Sequence, residues 1–141
     1  MLIKGDDIKL FLTDLCGRIC YRPKGVLLRT AFDNEEIEVI GYDGHFIDLF
    51  RKGDYDQASI DLVRLYLRPM SSMTEEEKKV VCSMNMISDT ELNDRLNYQR
   101  MYLQNYTIET FDYFNEHHLD YRGLIPMSLA LEAPEDIYPQ K

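Results

Sequence analysis

The chain has 141 residues, 45% hydrophobic and 11% aromatic, with ten Tyr, six Phe and no Trp, which is enough apolar side chain to bury a core and excludes a disordered tail. Its 25 acidic against 16 basic residues leave a net charge of −9, which argues against a protein that wraps nucleic acid by general phosphate neutralisation. Cys16, Cys20 and Cys82 have neither the number nor the spacing of a disulfide framework or a zinc ribbon, and no apolar stretch approaches the roughly 20 residues of a membrane span.

Charges at Lys4, Asp6 and Asp7 precede any apolar run of signal-peptide length, so a cytoplasmic protein is expected. Ile8, Phe11, Leu12 and Leu15 recur at helical steps behind Asp6 and Asp7, and Gly17 follows as a stop signal, which predicts an amphipathic helix over about residues 7–16. From Arg18 the period becomes two. Ile19 with Tyr21, Val26 with Leu28 and Thr30, Ile37 with Val39, Ile47 with Leu49, and Val63 with Leu65 and Leu67 predict five short strands. Pro23-Lys24-Gly25 is expected to turn the first pair, Asp43-Gly44 to close a tight hairpin, and 51–59 to form a polar loop. Pro69 ends the last strand.

Beyond Pro69 the period is helical. Thr74 with Glu77 and Ser88 with Glu91 have capping-box spacing, so helices begin near residues 75 and 89. Leu92, Leu96 and Leu103 form the apolar stripe of the second, broadened by Met101 and Tyr102. Thr107 caps a third helix whose Ile108, Phe111, Phe114 and His118 face inward. The apolar string from Leu124 to Leu131 is expected to pack on the body, with one short helix starting near Pro126. The reading is α+β: an N-terminal helix, a small curled antiparallel sheet of about five short strands, an SH3-like barrel over 18–69 as first choice, and a C-terminal helical layer. It makes one domain over 1–141, a helix-plus-β unit over 1–70 with a helical unit over 71–141 packed on it.

Two stretches carry a likeness to known sequences. They are Leu67-Arg68-Pro69-Met70-Ser71-Ser72-Met73-Thr74-Glu75-Glu76-Glu77, and His117-His118-Leu119-Asp120-Tyr121-Arg122-Gly123-Leu124-Ile125 running into Leu129-Ala130-Leu131-Glu132-Ala133-Pro134-Glu135. With Asp14-Leu15-Cys16 ahead of a Tyr-rich strand, they resemble a family of uncharacterised small proteins encoded by phages and prophages of gut bacteria. The resemblance spans most of the chain, is loose over the strands, and departs from the family pattern at Met84-Asn85-Met86-Ile87 and over 92–106. It implies a phage gene product acting inside a bacterial cell, and no activity, cofactor or catalytic residue.

His117, His118 and Asp120 offer the donors of a zinc or iron site, but adjacent helical residues diverge by about 100°, so a matched ligand set is missing. The structural alternative has His118 packed inward or at the helix end and Asp120 paired with Arg122. Tyr121 and Arg122 offer an aromatic and a guanidinium to a ligand, against a role in which Arg122 holds the C-terminal arm. Arg18, Arg22, Arg29, Arg64 and Arg68, with Tyr21 and Tyr66, are spaced to share a sheet face suited to single-stranded nucleic acid or an acidic peptide. The competing view pairs those arginines with Glu36, Glu38 and Asp48.

Acidity is uneven: residues 1–70 hold ten Lys/Arg against twelve Asp/Glu, net −2, and 71–141 hold six against thirteen, net −7. The runs Asp33-Asn34-Glu35-Glu36 and Glu75-Glu76-Glu77 raise a minor reading as an acidic DNA mimic that inhibits a host defence nuclease. No nucleophile elbow, P-loop, dinucleotide fingerprint or H-E-x-x-H occurs, so neither catalysis nor a cofactor has support. The expectation is an interaction protein that docks a host or phage protein through its acidic C-terminal half. The alternative is a nucleic-acid module built on Arg22, Arg68 and Tyr66.

Overall fold

In a computed structural model, which describes residues 3–28, 34–97 and 106–138, the first element is the expected amphipathic helix, α1 (Gly5–Arg18). Phe11 and Leu15 are fully buried, and Asp6 and Asp7 sit in the first turn, where carboxylates complement the helix dipole. Gly17 does not end it. The helix runs to Arg18 and tightens into a 3-10 turn at Ile19–Tyr21, so the strand expected at Ile19 and Tyr21 is absent. Arg18 explains the extra turn: it forks onto Asp14 one turn back, at 2.8 and 3.0 Å, and donates to the Leu119 carbonyl at 2.7 Å. The chain turns away at Arg22, whose φ of +52° no helix accommodates.

Among the described residues six strands follow: β1 (Lys24–Leu28), β2 (Asn34–Tyr42), β3 (Ile47–Arg51), β4 (Asp54–Ala58), β5 (Val63–Leu67) and, from the tail, β6 (Ala130–Glu132). They lie side by side in the order β4-β3-β2-β1-β5-β6, antiparallel except for the β5/β6 pair. The sheet is open, which corrects the SH3-like barrel: β4 and β6 stand at opposite edges, and β6 takes the side of β5 that barrel closure needs. Lys24 and Gly25 begin β1 instead of turning, and the loop expected over 51–59 contains β4. The Asp43-Gly44 hairpin is present, with the Asp43 carboxylate accepting the His45 and Phe46 amides at 2.8 Å each.

Alternation divides the sheet into two faces. Leu27, Ile37, Val39, Ile47, Leu49, Val63 and Leu65 form the buried one, covered by α1 and by Leu124 and Leu129 of the tail. The C-terminal helices α2 (Glu75–Asn85), α3 (Asp89–Asn97) and α4 (Ile108–Glu116) build a second cluster around Val81, Leu92, Phe114, Leu119 and Tyr121. The cover expected from these helices is thus supplied by α1 and the tail.

The expected helix starts hold. Thr74 and Glu77 form the reciprocal capping box of α2, Ser88 Oγ accepts the Glu91 amide, and Thr107 caps α4. Ile108, assigned to the inner face of α4, is 78% exposed, because α4 begins there and its buried stripe falls on Thr110, Phe114 and Asn115. Met101, Tyr102 and Leu103 lie outside the described residues. The helix expected near Pro126 is replaced by turns leading into β6, with Asp120 accepting the Leu124 and Ile125 amides at 2.8 and 3.0 Å. Among the described residues no helix is long and apolar enough to cross a membrane.

Candidate functional site

The sheet's second face is the candidate. Cross-strand register puts Lys24 opposite Glu38, Glu38 opposite Phe50, Phe50 opposite Tyr55, and Val26 opposite Glu36 and Arg64, all on the side away from α1. Over β2–β4 no other described element lies on it: Glu36 and Gln57 are exposed, and Tyr55 is 59% exposed. Tyr55 Oη and Gln57 Nε2 both donate to Asp48 Oδ1, at 2.7 and 2.6 Å, so this end of the face is pre-ordered around a carboxylate. The Asp48 hydrogen bond pushes the Tyr55 hydroxyl pKa upward. At the other end, burial first and then Glu36 push up that of Tyr66.

Between β1, β2 and β3 this face forms a shallow groove of about 370 Å³, lined by Lys24, Glu36, Ile37, Glu38, Phe50 and Gly53. Arg22 reaches over its rim, with Nη1 2.8 Å from Glu38 Oε1 and Cζ 6.0 Å from the Phe50 ring centre. The guanidinium is bound by a carboxylate and an aromatic face together.

The residues singled out in the sequence do not converge. Arg22 and Tyr66 belong to the outer face. Arg68 is buried at the end of β5, where it forks onto Glu77 at 2.8 and 2.7 Å and donates to the Ser72 and His117 carbonyls. Burial alone would raise the Glu77 carboxyl, but the Arg68 hydrogen bonds and the Thr74 amide bring its pKa to about 2. Tyr121 is a core side chain that donates to Asn115 at 3.0 Å. Arg122 binds Asp14 at 3.1 Å and lies over the Tyr121 ring, so it ties the C-terminal segment to α1 instead of pairing with Asp120. Arg18 is fully buried and Arg64 turns back onto the Val63 carbonyl, so the proposed row of arginines does not form; Arg29 lies outside the described residues.

His117, His118 and Asp120 serve three separate purposes. His117 approaches Glu77 at 3.4 Å, His118 stacks on Tyr138, and Asp120 caps the turn at Leu124. Among the described residues no group of three or more His, Cys, Asp or Glu side chains is placed to hold a metal ion. The acidic runs are split likewise: Glu77 is buried on Arg68, Glu35 lies 3.5 Å from Arg51, and Glu36 is exposed.

Phe50 is the aromatic member of the groove, and the sequence reading missed it. Its signal was its phase, since it follows Ile47 and Leu49 at the alternate, outward position. Compared with known proteins, the chain matches no family model, no curated protein and no solved structure.

Proposed function

We propose that the chain is an interaction protein that binds a protein partner through the outer face of its sheet. The observation that supports this is the uncovered β2–β4 surface, where Phe50 and Tyr55 stand among Glu36, Glu38 and Asp48. Aromatic anchors ringed by polar groups are the composition of interface centres. The net charge of −9 favours a basic partner and faster encounter with it. A phage gene product meeting a host or phage protein in a bacterial cytoplasm remains the biological setting proposed, on the resemblance of the 67–77 and 117–135 stretches.

The nucleic-acid reading has less support, because Arg18, Arg64 and Arg68 are buried and engaged. The test is affinity capture from a gut-bacterial lysate with the intact chain and with a Tyr55→Asp, Glu36→Lys variant. A partner captured reproducibly by the first and lost by the second supports the face. A partner retained equally by both removes it.

A further inference from the structure

We infer that the groove on the outer face is a subsite for an arginine side chain presented by a basic segment of the partner; this deepens, and rests on, the protein-binding reading. Arg22 shows what the groove recognises. Its guanidinium lies over Phe50 and donates to Glu38, an arrangement suited to a planar, delocalised cation and poorly matched by a compact ammonium. This internal occupant is held loosely. Its side chain is 58% exposed, the Glu38 carboxylate is 36% exposed, and exposed pairs of this kind contribute little.

Charge decides how a second arginine would enter. Glu36, Glu38, Lys24 and Arg22 sum to zero, so an incoming guanidinium gains no net attraction while Arg22 is seated. It replaces Arg22 on Phe50 and Glu38, and Glu36, on the same face two residues along β2, offers a further acceptor. Arg22 thus acts as a built-in competitor. Removing it leaves the groove with one net negative charge and an open aromatic floor.

The probes are a fluorescent Gly-Arg-Gly-Arg-Gly peptide and its lysine counterpart, followed by fluorescence anisotropy at low salt. Wild type is expected to prefer the arginine peptide by about two- to fivefold, the range of an exposed cation–π contact. Arg22→Ala should tighten it by a similar factor, Phe50→Leu should abolish the preference, and Glu36→Gln with Glu38→Gln should weaken both peptides. Circular dichroism of each variant establishes that the fold is kept. Equal binding of the two peptides, or an Arg22→Ala variant that binds no better than wild type, overturns the subsite. So does a single-stranded oligonucleotide outcompeting the arginine peptide. If Phe50→Leu still captures the partner that wild type captures, the subsite alone falls; if the wild-type chain itself captures no partner, the protein-binding reading falls with it.

Discussion

His118 stacks flat on Tyr138, with ring centres 3.7 Å apart and planes 11° from parallel, and the Tyr138 hydroxyl lies within hydrogen-bond range of the Lys24 amide and carbonyl and the Tyr66 carbonyl. The pair fastens the C-terminal arm to β1 and β5. Burial, followed by the charges of Arg18, His117, Arg68 and Lys24, lowers the His118 pKa from 6.5 to about 3, so the folded chain holds it neutral.

A depressed histidine makes the fold sensitive to acid. The unfolded chain binds the His118 proton from about pH 6.5 downward while the folded chain resists it until about pH 3. Stability is therefore fully present above the unfolded value and declines as pH falls through that window. His118→Phe keeps the stack and removes the proton site. Urea unfolding midpoints at about pH 7 and pH 5 should differ less in this variant than in wild type. An unchanged difference would show that His118 does not titrate as its burial implies.

Glu77 carries the second acid-sensitive link. Its carboxyl is held near 2 against an ordinary 4.5, so its contribution is present above 4.5 and lost as pH falls toward 2. Glu77→Gln leaves the buried Arg68 guanidinium without a counter-charge, while the amide oxygen still accepts the Thr74 amide in the α2 capping box. A loss of about 3 kcal/mol is expected by chemical denaturation at neutral pH, together with a flatter acid limb. Arg68→Met with Glu77→Met should recover part of it; the recovery is incomplete because Arg68 also serves the Ser72 and His117 carbonyls.

Local rules were legible wherever one element satisfied its own needs. The α1 stripe, the Asp43 turn, the caps at Thr74, Ser88 and Thr107, and four apolar strands all follow from side chains a few residues apart. What escaped depends on distant partners. The extension of α1 needs the Leu119 carbonyl, 101 residues away, to receive Arg18, and β6 needs the open edge of β5. The strand β4 escaped for another reason: Asp54, Tyr55, Asp56 and Gln57 lack apolar alternation because an edge strand buries little. At the candidate site, the pairing of Arg22 with Glu38 was among the cross-strand pairs considered, while the part of Phe50 required knowing that β1, β2 and β3 are neighbours.

Gly25 is a close-packing requirement that sequence alone does not reveal. It sits opposite both Ile37 and Leu65, where an added Cβ would collide with the Arg64 carbonyl oxygen and lie 3.0 Å from the Leu65 Cα. Backbone on the obstructing side has little room to yield. Gly25→Ala is expected to cost roughly 1–3 kcal/mol, read as a lower thermal midpoint, with β1 and β5 losing hydrogen-exchange protection first. Unaltered stability would mean that the two strands separate readily at this point.

The exposed edge of β4 is guarded by Asp56. Lys52 and Gly53, with φ of +51° and +81°, make a two-residue turn, so Arg51 and Asp54 close the hairpin and the paired hydrogen bonds fall at alternate positions from there. That phase turns the Gln57 amide outward, away from β3, and Asp56 Oδ1 accepts it at 2.8 Å. An outward amide already bonded to its neighbour's carboxylate is a poor template for a second strand, and the charge repels another copy of the same acidic edge. Asp56→Ala frees the amide and also removes the Arg51 contact at 3.4 Å. Stability should change by less than about 1 kcal/mol, since the lost ion pair is partly exposed, while self-association rises, seen as a larger sedimentation coefficient at high protein concentration. Asp56→Asn, whose amide oxygen still accepts the Gln57 amide, should stay closer to wild type; equal association in the two variants would assign the protection to charge alone.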